Sequence, residues 1–403
     1  MEWKKYLEST INLIAEVKRK YNVFVNNEGN PEHDIEEKVM SVEALGDISP
    51  KAFSLNYFRT YNKKVASLDS SSRYLRDLSV NTCLIGLAIY SNVKGFIHGP
   101  ININTPYMGI SSYSSFLKEI ENDLPSTLIR VKNKTDYYYV NEPGNEYKLD
   151  DIADEIRTEA ETLGLKEVIR DHDYVILDGP IYPTPLEITE GFALDTEARK
   201  MHRVAYGKLV SERIQALNDK VISVVKRLEN SRKIYSVDEV KKIVGDINAK
   251  DVTILEIIDE RYCKQKNSYV CIVGPFKIQY KLKVEHEGKV VLDDVPPKYS
   301  YYVIIRLNRH LNPNFLRIES ISEKMAKEPE NNEYLHVVLS SISLKTLLPS
   351  YIELADKESK KVARSLFIYA YEFSSGKLNI IHDDKLTYMK DKSEQMLEGG
   401  LWQ

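Results

Sequence analysis

Apolar positions along the chain recur with two different periods, and the changes of period divide it into elements. Trp3, Leu7, Ile11, Ile14, Val17 and Tyr21 fall on one stripe, which predicts an amphipathic helix over 1–24. A polar stretch from Asn26 (NNEGNPEHD) ends it. Val65 to Leu68 reads as a short strand running into a polar turn at Asp69, and Val80 to Tyr90 as its neighbour. Residues 99–117, rich in Pro, Gly, Asn, Ser and Tyr, carry a loop signal. Leu149 to Leu165 predicts a helix, with acids in its first turn and Gly164 at its end. Tyr174 to Leu177 is a continuous apolar run, the pattern of a buried strand, and Asp178-Gly179-Pro180 stops it.

Phe192 to Leu217 predicts a second long helix, feeding a strand over Val221 to Val225 that ends in Lys226 and Arg227. Ser236 and Glu239 have the spacing of a capping box and open another helix. Strands are expected over Tyr269–Val284, Val290–Leu292 and Tyr299–Leu307, the last pair close to a hairpin. Asn331 to Leu348 has no clear period, Ser350 to Leu366 is helical, and the tail from Phe367 mixes strand with polar coil. No internal repeat is visible. This order predicts a mixed α/β sheet with helices packed on it.

Composition changes that picture in one respect. The 403 residues carry 56 Lys+Arg against 60 Asp+Glu, a formal charge of −4, which excludes a wholesale basic coat. The charge is unevenly spread, however. Residues 141–170 hold nine acids and four bases, whereas 200–234 hold nine Lys/Arg and three acids. Cys83, Cys263 and Cys271 are odd in number with no C-x-x-C pair, which argues against a zinc site and a disulfide framework. The charged start carries no secretory pattern, and the apolar stretch Leu84–Tyr90 is far short of the ~20 residues of a membrane span. No membrane partner and a soluble, cytoplasmic setting are expected. Phosphate-loop, dinucleotide, zinc-protease and serine-hydrolase signatures are absent.

Candidate chemistry lies with acids at strand ends. Asp69 and Asp178 each follow an apolar run and precede a small-residue turn, the edge at which open α/β sheets bind ligands. Two carboxylates there repel unless a cation lies between them, and hard ions such as Mg²⁺ and Mn²⁺ take such oxygen ligands. The alternative is that each Asp shapes a turn. Glu159 and Glu161 lie on the helix before the Asp178 strand; only one of them can face it, and a solvated face is the alternative for both. Asp356 lies on a late helix beside Leu354 and Ala355. Lys226 and Arg227 could meet phosphate or be ordinary surface charge.

The combination VASLDSSSR, DYVILDGP and VISVVKRLENSRKI resembles the NurA nucleases of archaea and some bacteria. GPF at Gly274, YYVIIRL at Tyr301, FLRIES at Phe315 and LPSYIELADKESKKVA at Leu348 extend the resemblance from about residue 60 to 365. It implies an RNase H-like (PIWI-like) mixed sheet flanked by helices, with additional helical and β insertions. It also implies a nuclease using Mn²⁺ or Mg²⁺, two ions in all, with DNA as substrate. As partners it implies a second copy in a toroidal homodimer and a HerA-type hexameric ATPase in DNA end resection. Matched motif by motif, Asp69, Glu159, Asp178 and Asp356 are the implied metal ligands, and Lys226 is the lysine of the VVKR strand. Arg73, Arg227 and Arg232 are expected to join Lys226 in contacting the DNA backbone. Leu348-Pro349 stands where many relatives have Tyr-Pro, and Asp-Ser-Ser-Ser replaces the common Asp-Gly-Ser.

On this reading the chain divides into an N-terminal segment (1–58), a first core part (59–234), an inserted segment (235–300), a second core part (301–366) and a C-terminal extension (367–403). Two rival functions remain: a non-catalytic subunit of a repair complex, and another RNase H-like nuclease of endonuclease V type. The 27 tyrosines are mostly strand and core residues, with Tyr299, Tyr301 and Tyr302 as candidates to line a DNA channel.

Overall fold

A computed structural model describes residues 40–60, 62–77, 80–112, 128–133, 147–194, 196–264, 268–308 and 310–398. The helix expected over 1–24 lies outside them. The described strands are β1 (Met40–Ala44), β2 (Lys51–Phe53), β3 (Val65–Arg76), β4 (Asn81–Ser91), β5 (Gly95–Gly99), β6 (Met108–Ser112), β7 (Ile129–Asn133), β8 (Tyr174–Asp178) and β9 (Val221–Val225). They continue with β10 (Tyr269–Tyr280), β11 (Val284–His286), β12 (Lys289–Leu292), β13 (Lys298–Arg306) and β14 (Asn314–Ser320). The helices are α1 (Leu149–Val168), α2 (Glu197–Ala216), α3 (Asp238–Val244), α4 (Asp251–Ile258), α5 (Glu333–Leu339), α6 (Ser350–Ser374) and α7 (His382–Glu398).

Twelve described strands form one sheet, with main order β1-β10-β13-β14-β9-β8-β3-β4-β6-β7. At its centre β3, β4 and β6 run antiparallel in succession, and β8 and β9 add in parallel to β3. Helix α1 precedes β8 and α2 precedes β9, so both parallel steps use a helical crossover. This is a mixed sheet flanked by helices. Strands β10, β13 and β14 extend it antiparallel beyond β9, so residues 269–280 pair directly with the core.

Period-2 alternation decides what each helix covers. Leu87 and Ile89 of β4 face α1, where Gly164 lies 3.0 Å from Leu87 at its would-be Cβ. The expected helix end at Gly164 is therefore not used: the helix runs on to Val168, and the missing side chain allows close packing. Gly86, on the opposite face, packs against the backbone of α6, where a Cβ would meet Ala363 N at 2.3 Å. No larger residue leaves α6 in contact with the sheet there.

Several expectations are corrected. Asp69 stands inside a 12-residue strand rather than at a turn, because Ser70, Ser71 and Ser72 stay paired with Leu87, Gly86 and Ile85. The loop signal over 99–117 contains β6. Helix α2 starts at Glu197, capped by Thr196, whose hydroxyl accepts from Arg199 N at 3.3 Å. Helix α3 is preceded by Val237 without a side-chain cap, so the Ser236–Glu239 box does not form. Strand β12 pairs with β11, not with β13. The tail is helical: α6 runs to Ser374 and α7 follows, anchored where Arg76 Nη2 donates to Asp384 at 2.7 Å. Cys263 and Cys271 form a disulfide, which leaves Cys83 as a buried free thiol. No helix among the described residues is long and apolar enough to cross a membrane.

Candidate metal centre

The register of β3 and β8 builds the site. Leu68 lies beside Leu177, so the next residues, Asp69 and Asp178, come side by side on adjacent parallel strands. Both strands carry apolar neighbours on the alternating face, Leu68 and Leu177, which lock the orientation of the two acids. Gly179 follows Asp178 at φ +102, a left-handed conformation that lets the chain turn away immediately. Helix α6 crosses β3 and β4 and delivers Asp356 and Ser359. Carboxylate oxygens of Asp69, Asp178 and Asp356 lie within 4.8 Å of one another.

The cluster is asymmetric in charge. Asp69 is 6% exposed and its pKa is pushed up to about 7, first by burial and then by the charges of Asp178 and Glu161; the Ser359 hydroxyl, donating at 2.7 Å, opposes this. Asp178 is also raised, by burial, against the pull of Lys226. Burial acts the same way on Asp356, yet its pKa is lowered because Lys360 and Lys226 donate to it at 2.6 and 2.9 Å. Lys226 bridges two ligands, donating to Asp178 at 2.6 Å and to Asp356. The donor set is three carboxylates, with the Lys226 ammonium between Asp178 and Asp356 and the Lys360 ammonium bonded to Asp356, and hard divalent cations fit such oxygens.

Glu159 does not join this group. Its carboxylate pairs with Arg130, whose Nε donates at 2.9 Å. Glu161 is the acid that α1 turns toward the sheet. It accepts from Ser70 Oγ at 2.5 Å and from the buried Arg213 at 3.0 Å, and its charge raises both Asp69 and Asp178. The 100° step per residue puts 159 and 161 on different sides of α1, and the arginines select which acid goes where. Glu161→Gln is therefore expected to weaken Mn²⁺ binding about tenfold, and Glu159→Gln to leave it within twofold, by calorimetric titration.

Of the expected DNA contacts, Arg227 is exposed beside Lys226. Arg73 instead donates to Asp391 of α7 at 2.8 Å. Arg232 is buried, bonded to Asn248 and stacked over Tyr235 at 5.3 Å. Tyr299, Tyr301 and Tyr302 are 6%, 0% and 0% exposed, too enclosed to line a channel. Ser359 and Lys360 carry no motif of their own, although they stand three and four residues after Asp356, the spacing that puts helix side chains on one face. Arg157, whose Nε donates to Ser70 at 3.1 Å, gave no separate signal.

The fold and the clustered carboxylates define a mixed-sheet α/β protein with a three-aspartate centre. The family model of the NurA domain matches residues 63–360, and the chain belongs to the NurA family. Among solved structures it is similar to the NurA nuclease from Sulfolobus solfataricus, at 13% identity and a TM-score of 0.43, over 100% of this chain and 99% of that one. A NurA bound to dAMP and manganese is matched at 10% identity and 0.32, over 88% and 92%. Endonuclease V from Bacillus subtilis follows at 12% and 0.25, over 83% and 90%. No curated protein matches the chain.

Proposed function

We propose that the protein is a Mn²⁺- or Mg²⁺-dependent deoxyribonuclease that hydrolyses phosphodiester bonds, with Asp69, Asp178 and Asp356 as ligands and Glu161 as the fourth acid. The observation that carries this reading is the meeting of three aspartates from β3, β8 and α6 within 4.8 Å. Their mutual repulsion is costly in a buried site unless cations are present. Bound divalent ions supply an activated water and neutralise charge on the phosphate. Ser359 orients Asp69, and Lys360 and Lys226 keep Asp356 ionised and ready to ligate. With cations among the carboxylates, the Lys226 ammonium is free to turn to the scissile phosphate, and the exposed Arg227 extends that charge along the backbone.

Membership in the NurA family supports the finer reading: 5′-to-3′ exonuclease and single-strand endonuclease action in DNA end resection, as a homodimer with a HerA-type ATPase. The test is cleavage of end-labelled linear duplex and single-stranded DNA. Mn²⁺ is expected to support cutting, EDTA to stop it, and excess Mn²⁺ to restore it. Protein that leaves both substrates intact with Mn²⁺ and Mg²⁺, alone and with a HerA-type ATPase, belongs to the non-catalytic alternative.

A further inference from the structure

Behind the carboxylates, the sheet buries a polar network where apolar packing would be expected. Arg317, Glu319, Lys298 and Asp251 are 4%, 0%, 1% and 0% exposed. Arg317 is its hub. It lies opposite Val225 in the β14–β9 register, one residue from Lys226. Its Nε donates to Glu319 Oε1 at 2.7 Å, and its Nη1 donates to Ser231 Oγ at 3.0 Å.

From those two ends the network reaches two loops. Glu319 Oε2 accepts from Ile181 N at 3.2 Å, and Lys298 Nζ donates to Tyr182 O at 2.8 Å. Both belong to the segment that leaves Asp178. On the other side, Ser231 Oγ donates to Asp251 Oδ2 at 2.5 Å. Asp251 Oδ1 accepts from the amides of Lys233 and Ile234 at 2.7 and 3.1 Å, and Tyr302 donates to Oδ2 at 2.8 Å. That segment leaves Lys226. The two loops exit neighbouring parallel strands, with Asp178 beside Val224.

Apolar residues of similar volume often fill such a core with equal or greater stability. What a fully paired network adds is one fixed arrangement of the backbone it holds. We propose that Arg317 is a positioning residue for the metal centre: through Glu319 and through Ser231–Asp251 it locks both loops and so fixes the spacing of Asp178 and Lys226. The inference rests on the metal-centre reading above.

The experiment compares Arg317→Met and Ser231→Ala with Arg306→Met. Arg306 is also buried, pairs with Asp259 at 3.1 Å and ends β13 four residues beyond Tyr302, the residue opposite Arg317, so it controls for the loss of a buried arginine. Two quantities are read: Mn²⁺ affinity by calorimetry, and hydrogen exchange at the amides of Ile181, Lys233 and Ile234 in metal-free protein. Arg317→Met and Ser231→Ala are expected to weaken Mn²⁺ binding about tenfold or more and to speed exchange at those amides. Arg306→Met is expected to change neither, whatever its melting temperature. If Arg317→Met does not fold, Ser231→Ala, which removes one hydroxyl, carries the comparison. Wild-type affinity in the folded variants, or an equal loss in Arg306→Met, overturns the proposal. Asp178→Asn is run beside them: if it still binds Mn²⁺, the metal-centre reading has failed, whereas its loss with Arg317→Met and Ser231→Ala intact sinks only the positioning role.

Discussion

Asp69→Asn and Asp178→Asn are each expected to lower Mn²⁺-dependent DNA cleavage by about 10³-fold, the loss that follows removal of a group stabilising transition-state charge. The two changes keep side-chain volume and remove one negative charge from a centre where three acids lie within 4.8 Å. What separates a ligand from a structural residue is the accompanying stability. Asp69 has its pKa raised to about 7 against 3.8 for the free side chain. Its ionised form is therefore disfavoured by the fold, and stability is lost as pH rises from the lower value through the higher. Asparagine removes that penalty and can still accept from Ser359. In EDTA at pH 8, Asp69→Asn is expected to melt at or above the wild-type temperature while being inactive with Mn²⁺. Activity within tenfold of wild type would contradict the assignment. Inactivity together with a fall of several degrees in melting temperature would mark Asp69 as a structural residue.

The parts of this arrangement that the sequence made legible are those in which local pattern and tertiary role agree. Tyr174–Leu177 is apolar because both faces of β8 are covered, and Asp178-Gly179-Pro180 stops it with the residues a strand end and a left-handed turn require. The same holds for Val221–Val225 and for the first part of α6. Asp69 is legible as a site residue although the turn that its composition suggests does not form. Its serine-rich sequel has turn composition, but a full ladder to β4 overrides that preference, and the small side chains admit α6 above and Glu161 below.

What stayed hidden is set by partners distant in the chain. Arg73 is drawn to Asp391, 318 residues away, and nothing in VASLDSSSR announces a helix at the far end of the protein. Arg232 has the composition of a phosphate contact yet serves the core. The choice between Glu159 and Glu161 depends on Arg130 and Arg213, which lie on β7 and α2. The disulfide joins Cys263 to Cys271 across a separation that carries no recognised signature. Tyr301 and Tyr302 are candidates for a DNA channel because aromatic rings can stack on bases, but β13 is covered on both faces and encloses them.

Lys298→Met is expected to flatten the pH dependence of stability between pH 7 and 10. Lys298 is 1% exposed, donates to the Tyr182 carbonyl and sits 4.2 Å from the centre of the Tyr182 ring. Burial lowers its pKa from 10.5 to about 7, with Arg317 and Lys233 acting in the same direction and Glu319 against them. Between those two values the unfolded chain holds a proton there that the folded chain has released, so wild-type stability rises with pH across the window. One proton corresponds to about 1.4 kcal/mol per pH unit, or roughly 3 kcal/mol between pH 8 and 10. Methionine does not titrate, so the difference between the two denaturation curves isolates the titration of this lysine together with the neighbours it is coupled to. The variant is expected to gain on wild type as pH falls from 10 toward 7. A constant difference across that range would mean that Lys298 keeps its proton when folded, and that the segment leaving Asp178 is held by a charge rather than by a neutral amine at alkaline pH. Either way, the carbonyl left without its donor is expected to speed hydrogen exchange near Tyr182, since the lysine is there to hold that backbone and not to stabilise the sheet.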